Sequence, residues 1–356
     1  MIPPFMQGVQ LVGHGGPEKL VWNERIPTPL PAPGRVLVRV LAAGVNNTDI
    51  NTRIGWYSKS VSVGTQEIGE GLQIEAGGWS GALSFPLIQG GDLCGEVVAL
   101  GDGVKNLRLG MRVTCPINQP VPTDIHPMRF VAIGSEYDGA FAQFCSVPAD
   151  QLYDVSSSSL TDVEIAAIPC SHGTAINLLK RAGVRRGDKV LVTGASGGVG
   201  LAVVELATLF GAEVTAIASP HKQTAVRAAG AKSTLDRDAR LEPGAFSAAI
   251  DVVGGPGIAQ VLDSLAPGGR YAISGAIAGP IVQADLRTIY LNDLTIFGCT
   301  YTPRKVFAEL IELVNQDKVR PLVSKTYPLR DIAKAQVDFA AKTYPGKLVL
   351  VPPPPS

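Results

Sequence analysis

Charge is scarce in this chain. Only 17% of its 356 residues are Asp, Glu, Lys or Arg, and 31 acidic side chains offset 31 basic ones. A surface that tracks nucleic-acid phosphates needs a basic excess or a basic stripe. Neither is present, so no nucleic-acid partner is expected. Long apolar runs are missing too. No stretch approaches the roughly 20 residues that a membrane-crossing helix requires, and the N-terminus carries no basic-then-apolar signal segment. The expectation is a soluble, cytoplasmic protein with no membrane partner. Cysteines are few and dispersed: Cys94, Cys115, Cys145, Cys170 and Cys299 form no Cys-x-x-Cys pair. That argues against a disulfide framework and a clustered zinc knuckle, and the thiols read as small buried hydrophobes.

What the chain has in quantity is glycine and proline, 40 and 27 residues, in a sequence that is 46% apolar. High glycine with ample apolar content fits a tightly turned α/β enzyme rather than a disordered chain. At roughly 100–200 residues per domain, the length suggests about two domains. No internal repeat is visible.

The first part of the chain carries strand signals: Arg35 to Leu41 behind the Pro33-Gly34 turn, Gly95 to Gly101, Leu109 to Val113 and Ala140 to Val147. Short strands punctuated by Gly and Pro predict a small barrel. Two polar stretches, Ser58 to Gly90 and Thr114 to Asp138, are long for plain connections. After Ser159 the pattern changes. Thr161-Asp-Val-Glu164 is a capping box, Pro169 should end the helix it opens, and Ala175 to Arg181 predicts the next. Strands at 189–193, 213–218, 248–253, 270–274 and 294–299 then alternate with helices, predicting a parallel, doubly wound sheet. Helices near 306–314 and 332–341 precede a last strand, Lys347 to Val351. The proline-rich tail carries no evident chemistry.

The strongest local signal is Gly194-Ala195-Ser196-Gly197-Gly198-Val199-Gly200, which follows a predicted strand and opens a predicted helix. That context suits a dinucleotide: Gly197 lets the backbone approach a pyrophosphate, Gly200 lets helix and strand pack closely, and the helix N-terminus offers free N–H groups. Gly275, just beyond the strand at 270–274, joins the expected cofactor-binding set. The second strand ends Ser219-Pro-His-Lys222 with no acidic residue to hold ribose hydroxyls. A hydroxyl and a cation suit a 2′-phosphate, with Arg237 as a further cation. NADP(H) is therefore the expected cofactor, although the neighbouring Asp236 would repel that phosphate.

Together these residues resemble the medium-chain dehydrogenase/reductase superfamily over nearly the full length. Within it, the chain is similar to the zinc-free quinone oxidoreductase, zeta-crystallin-like branch. The matching stretches are Ala43 to Arg53, Gly90 to Val98, Gly187 to Gly200, Asp251 to Gly255 and Leu265 to Arg270. The resemblance implies a GroES-like, β-rich catalytic domain (1–170 and 303–356) and a Rossmann domain (171–302), with a cleft between them. It also implies a homodimer paired through the apolar strand Leu294 to Cys299.

Zinc-dependent members hold a metal with Cys, His and Cys from three segments. Here those positions read Asn46, Gly91 and Cys170, with Asp92 after the lost His, so no metal is expected. The segment Thr114 to Asp138, where a structural-zinc lobe would fall, holds Cys115 alone. By the same resemblance, Asn46 and Tyr57 fall in the quinone-reductase pocket, and Asn46 could hydrogen-bond the acceptor oxygen. Thr174 falls beside the nicotinamide. A proton-donor role for His172 is a further reading, as is a satisfied polar residue. Asp49 and Arg53 read as a structural polar pair or as residues that steady the cleft, and Asp92 as a cleft residue or strand-end cap. The surplus length of the two long segments, with Trp79, Phe85, Met128, Phe130 and Tyr137, could roof the cleft. The expected activity is hydride transfer from NADPH to a quinone or α,β-unsaturated carbonyl. Two alternatives stay open: an alcohol dehydrogenase-like enzyme keeping metal through Cys170 and Asp92, and a non-catalytic NADPH-binding protein.

Overall fold

The computed structural model describes residues 2–67, 77–79 and 81–355. By packing, the chain forms two units. One comprises Met1–Val61, Gly69–Cys170 and Ala308–Ser356, and the other Ser62–Ile68 and Ser171–Phe307. No sequence signal marked the short Ser62 segment, where the Thr65 N–H donates to the Ile277 carbonyl at 3.2 Å. Part of the long stretch from Ser58 to Gly90 lies outside the described residues.

The first unit opens with an antiparallel hairpin, β1 (Phe5–Leu11) and β2 (Leu20–Pro27). Its central strand is β3 (Arg35–Gly44), whose near-continuous burial reflects the β-branched run in its sequence. Helix α1 (Asn47–Ile54) follows and ends at Gly55, which has a φ of 73°. Next come β4 (Cys94–Leu100), β5 (Arg112–Thr114), β6 (Asn118–Pro120), β7 (Phe130–Ala132), β8 (Phe144–Pro148) and β9 (Tyr153–Asp154). Strand β3 pairs antiparallel with β4, and with β8 along Arg35 to Arg39. Two register irregularities between β3 and β4 bend the pair. The outcome is a seven-stranded, curved sheet in which β3 pairs with β4, β8 and the strand Lys347–Val351, and the β1–β2 hairpin joins it through the Gly8–Ala142 bridge. Residues 114–138 are not plain loop: β6 and β7 make a two-stranded antiparallel ribbon there.

Helix α2 (Asp162–Ile165) begins at the predicted capping box, with Thr161 Oγ1 accepting from the Glu164 N–H at 3.2 Å. Helix α2 stops at Ile165, short of Pro169 as expected, but Pro169 does more than separate two helices. It starts α3 (Pro169–Arg181), six residues before the predicted Ala175, because proline is well suited to a first helical turn where no N–H is needed.

The second unit contains β10 (Lys189–Val192), α4 (Gly198–Leu209), β11 (Glu213–Ile217), α5 (Gln223–Ala228), β12 (Ser233–Leu235), β13 (Phe246–Asp251), α6 (Ile258–Asp263), β14 (Leu265–Ile273), α7 (Leu286–Leu291) and β15 (Thr295–Gly298). The six strands run parallel in the order β12-β11-β10-β13-β14-β15, the doubly wound arrangement expected, which changes direction beside β10. Leu191, Ala249, Leu262 and Tyr271 lie in its core.

After α8 (Arg304–Asn315) come β16 (Val323–Pro328), α9 (Ile332–Ala340) and β17 (Lys347–Val351), the two strands joining the first unit's sheet. There β17 pairs with β3 at Ala43 and Gly44. The tail is tied down, with Gln143 Nε2 donating to the Pro353 and Pro354 carbonyls at 3.0 Å each. Val36, Leu37, Val38, Phe141 and Leu350 are among the residues of the first unit's core.

Candidate functional site

In the second unit, the turn between β10 and α4 carries the glycine-rich sequence. Gly194 has a φ of 57°, and the Gly197 N–H closes back on its carbonyl at 3.0 Å. Gly197 is exposed and caps α4, so the first N–H groups of a twelve-residue helix face an accessible turn. Ala195 is buried, while Ser196, Gly198 and Val199 are half-buried. Gly200 is needed for the approach itself: a Cβ there would run into the Gly194 carbonyl and stand 2.6 Å from Ala195 Cα. Asp251, at the end of β13, braces the turn. It accepts from Thr193 Oγ1 at 2.5 Å, from the Val253 and Gly254 N–H groups, and from the Tyr271 hydroxyl at 2.6 Å. The sequence reading used this aspartate only as part of a matching stretch.

Ser219 is half-buried after β11, and Lys222 is 5% exposed in the turn that follows. Burial, and then the charge of Arg237, push the Lys222 amine below its usual range. The positive charge of Arg237 thus adds to the effect of burial on Lys222. Asp236 is partly occupied, accepting the Arg237 N–H at 2.7 Å. Gly275 is half-buried beyond β14, where a Cβ would come within 2.8 Å of the Val252 carbonyl oxygen. Thr174 is half-buried on α3. His172 is buried with both ring nitrogens engaged, one to Ser171 Oγ at 3.0 Å and one to Glu205 at 2.9 Å.

In the first unit, Asn46 stands at the start of α1. Its N–H donates to Asp49 Oδ2 at 2.8 Å, and its Oδ1 accepts from Lys347 Nζ at 2.5 Å. Lys347 Nζ also reaches Asp92 Oδ2 at 2.8 Å and the Val45 carbonyl at 3.0 Å. The other Asp92 oxygen accepts the Cys170 N–H at 2.6 Å. This cluster is almost dry, with the Lys347 and Asp92 side chains 3% and 0% exposed. Gly44 admits it, since a Cβ there would press within 2.5 Å of Asp92 Oδ2. Asp49 lies alongside. Burial, reinforced by the charge of Asp92, outweighs the Asn46 N–H and Lys347 and pushes its carboxyl up to about 7.

Tyr57 is half-buried, its hydroxyl 2.9 Å from Thr48 Oγ1. Burial raises the phenol, so it remains a neutral donor near pH 7. Its ring sits edge-on between Trp56 at 5.5 Å and Trp79 at 5.6 Å, and Trp79 stands edge-on to Phe130 at 6.0 Å. A small recess beside it is lined by Thr48, Asp49, Thr52, Trp79, Ile117 and Ile133. Phe85 and Tyr137 are engaged elsewhere, Phe85 against His14 and Tyr137 donating to Gln119. Met128 is exposed.

The Asp49–Arg53 pair does not form. Asp49 turns to the Asn46 backbone, whereas Arg53 donates to Gln336 and to the Gly15 carbonyl. Four cysteines are buried, as the sequence suggested, and Cys170 is half-buried. Burial raises the thiols of Cys94, Cys115, Cys145 and Cys299. Sequence reasoning missed Lys347 as a site residue. Its one signal was a cation opening an otherwise apolar last strand.

The fold and these two clusters define a two-unit nicotinamide oxidoreductase. The chain belongs to the medium-chain dehydrogenase/reductase superfamily. The family model described as alcohol dehydrogenase GroES-like domain matches residues 32–157, and that described as zinc-binding dehydrogenase matches 198–316. A solved Sinorhizobium meliloti 1021 protein, assigned as an alcohol dehydrogenase, is 39% identical across 99% of this chain and 98% of its own, with a TM-score of 0.88. Acryloyl-coenzyme A reductase of Metallosphaera sedula is 27% identical, covering 97% of this chain and 99% of the relative. Quinone oxidoreductase of Mus musculus is 26% identical, covering 98% of each.

The family implies a nicotinamide coenzyme, and the second unit fits one: a close-packed glycine turn, an open helix start, and a lysine without an acid in the turn that follows β11. It also implies zinc, and the first unit does not fit that. Among the described residues, no three His, Cys, Asp or Glu side chains are placed to hold a metal. Both Asp92 oxygens are taken, one by the Lys347 ammonium. A cation already in contact with the remaining oxygen donors opposes a second one there. Among the described residues, no helix is long and apolar enough to cross a membrane.

Proposed function

We propose that this protein is a zinc-independent reductase that transfers hydride from NADPH to a quinone or an α,β-unsaturated carbonyl. The observation that carries this reading is the Lys347 ammonium bound to Asn46 and Asp92 where metal-dependent relatives gather zinc ligands. Without a Lewis acid, the acceptor must already be electrophilic, with its developing charge delocalised. The names of two relatives, an acryloyl-coenzyme A reductase and a quinone oxidoreductase, lie in that class.

The bound coenzyme supplies the hydride. Ala195, Ser196, Gly197, Gly198, Val199, Gly200 and Gly275 hold its pyrophosphate and adjoining groups, and Ser219, Lys222 and Arg237 hold the 2′-phosphate. Thr174 contacts the nicotinamide. In the catalytic domain (1–170 and 303–356), Asn46 and Tyr57 donate to the acceptor oxygen. The Thr48 contact orients Tyr57, and Trp56, Trp79 and Phe130 wall the approach with aromatic edges suited to planar acceptors. Holding donor and acceptor about 3–3.5 Å apart supplies most of the rate, and a placed proton donor about 10²–10⁴-fold more. We place the enzyme in the cytoplasm as a homodimer.

The test is NADPH consumption by chelator-treated protein across a panel of quinones and enones, alongside NADH. Turnover should survive chelation and favour NADPH. Lys222→Ala should raise KM for NADPH about tenfold or more while sparing NADH, since a charge-assisted phosphate contact contributes ~1.5–3 kcal/mol. Activity that returns only with added zinc would overturn the reading. Tight NADPH binding with no acceptor reduced would leave a coenzyme-binding protein without turnover.

A further inference from the structure

The Lys347 ammonium has three N–H donors and three oxygen partners: Val45 at 3.0 Å, Asn46 Oδ1 at 2.5 Å and Asp92 Oδ2 at 2.8 Å. It has none left for a substrate. Asn46 is the opposite case. Its oxygen is occupied, yet Nδ2 finds no acceptor among the described residues, although the side chain is 5% exposed. Buried amide donors are rarely left so, and those that are call for a reason such as an absent ligand. The amide cannot relieve this by flipping, because Nδ2 would then face the donors of Lys347. Asp92 holds Lys347 in turn, and the Cys170 N–H holds Asp92.

We propose that Lys347 is a positioning residue for the reduction, pinning the Asn46 amide with Nδ2 free to donate to the acceptor's carbonyl oxygen. This rests on the reductase reading above. In enone reduction the hydride, with its electron pair, adds to the β-carbon. The C=C π pair shifts toward the carbonyl, whose own π pair moves onto oxygen as an enolate. NADPH is oxidised to NADP⁺, and the enolate takes a proton from solvent at the α-carbon. The charge that develops on oxygen meets an amide donor fixed before reaction and polarised from behind by an ammonium. The lysine thus acts at one remove, and the enzyme does not reorient the donor during the step.

The test uses three proteins: the wild type, Asn46→Asp and the charge-balanced pair Lys347→Met with Asp92→Asn. Asn46→Asp keeps oxygens for Lys347 but lacks the free N–H. The pair removes the ammonium without stranding a buried carboxylate. Each is assayed for kcat and KM on the acceptor panel, for NADPH affinity and for melting temperature. Para-nitrophenol titrated into the NADP⁺-loaded protein gives a further readout, because its absorbance reports how far the site stabilises an oxyanion.

Both variants should lose about 10²–10³-fold in kcat, with KM, NADPH affinity and folding little changed. The wild type should lower the phenol's apparent pKa, and both variants should lose that shift. If the wild type reduces no acceptor but shifts the phenol through Asn46 and Lys347, the reductase reading fails while the positioning role stands. Absence of the shift in the wild type, or its retention with normal kcat in the variants, overturns the role.

Discussion

Asp49 shows how much one buried group can disclose. With its carboxyl pushed up to about 7 in the fold, against an ordinary value of 3.8, it keeps its proton longer than in the unfolded chain. The sign follows directly. This contribution to stability is fully present below about pH 4 and is lost as pH rises through about 7, where burial opposes the charged form. Melting temperature should therefore fall between pH 5 and pH 8, and Asp49→Asn should remove that part of the fall. Parallel curves from differential scanning would count against it. At this scale the sequence singled out Asn46 and Tyr57 as candidates, because each sits within a short recognisable stretch. It could not show that Lys347, some 301 positions from Asn46, supplies the neighbouring charge. Nor could it show that Arg53 would reach Gln336 rather than Asp49.

Among the elements, the turn into α4 was the most legible, since strand, glycines and helix follow one another within a dozen residues. The reason for Gly200 is steric, and it yields a prediction. Gly200→Ala would set a methyl against the Gly194 carbonyl and Ala195 Cα, both backbone, so the turn itself must move. We expect a loss of about 1–3 kcal/mol by chemical denaturation, together with weakened NADPH binding in a fluorescence titration. Unchanged values in both would mean the turn yields more freely than its packing indicates. Start signals were unevenly legible: the capping box at Thr161 marked α2, whereas the proline that opens α3 read only as a stop. Pro169 serves as a first-turn residue of α3 where a break was expected. The three-residue β12 escaped notice, because so short a strand shows no alternation to read.

For the whole molecule, β15 stands at the edge of the second unit's sheet. Ile296 on that strand is 46% exposed, and Leu286, Tyr290 and Leu291 on α7 are exposed between 62% and 69%. An edge strand with apolar side chains left in water calls for covering, and pairing with a second copy continues the sheet. Light scattering at micromolar concentration should therefore return twice the 37.2 kDa chain mass. A charge placed on the edge, Ile296→Lys, should shift it toward the monomer, and a monomeric wild type would refute the pairing.

The sequence by itself determined the doubly wound sheet, the glycine-rich turn into α4 and the residues standing at 46, 91 and 92, because each depends on residues close together in the chain. Only the tertiary structure decided which groups surround Asn46 and Asp92. It brought a C-terminal lysine against an asparagine and an aspartate from early segments, and the ribbon at 118–132 set Phe130 beside Trp79. The physical reason is sequence distance. Backbone propensity and turn chemistry act over a few residues, whereas a buried charge finds its partners only when the sheet that carries them is assembled.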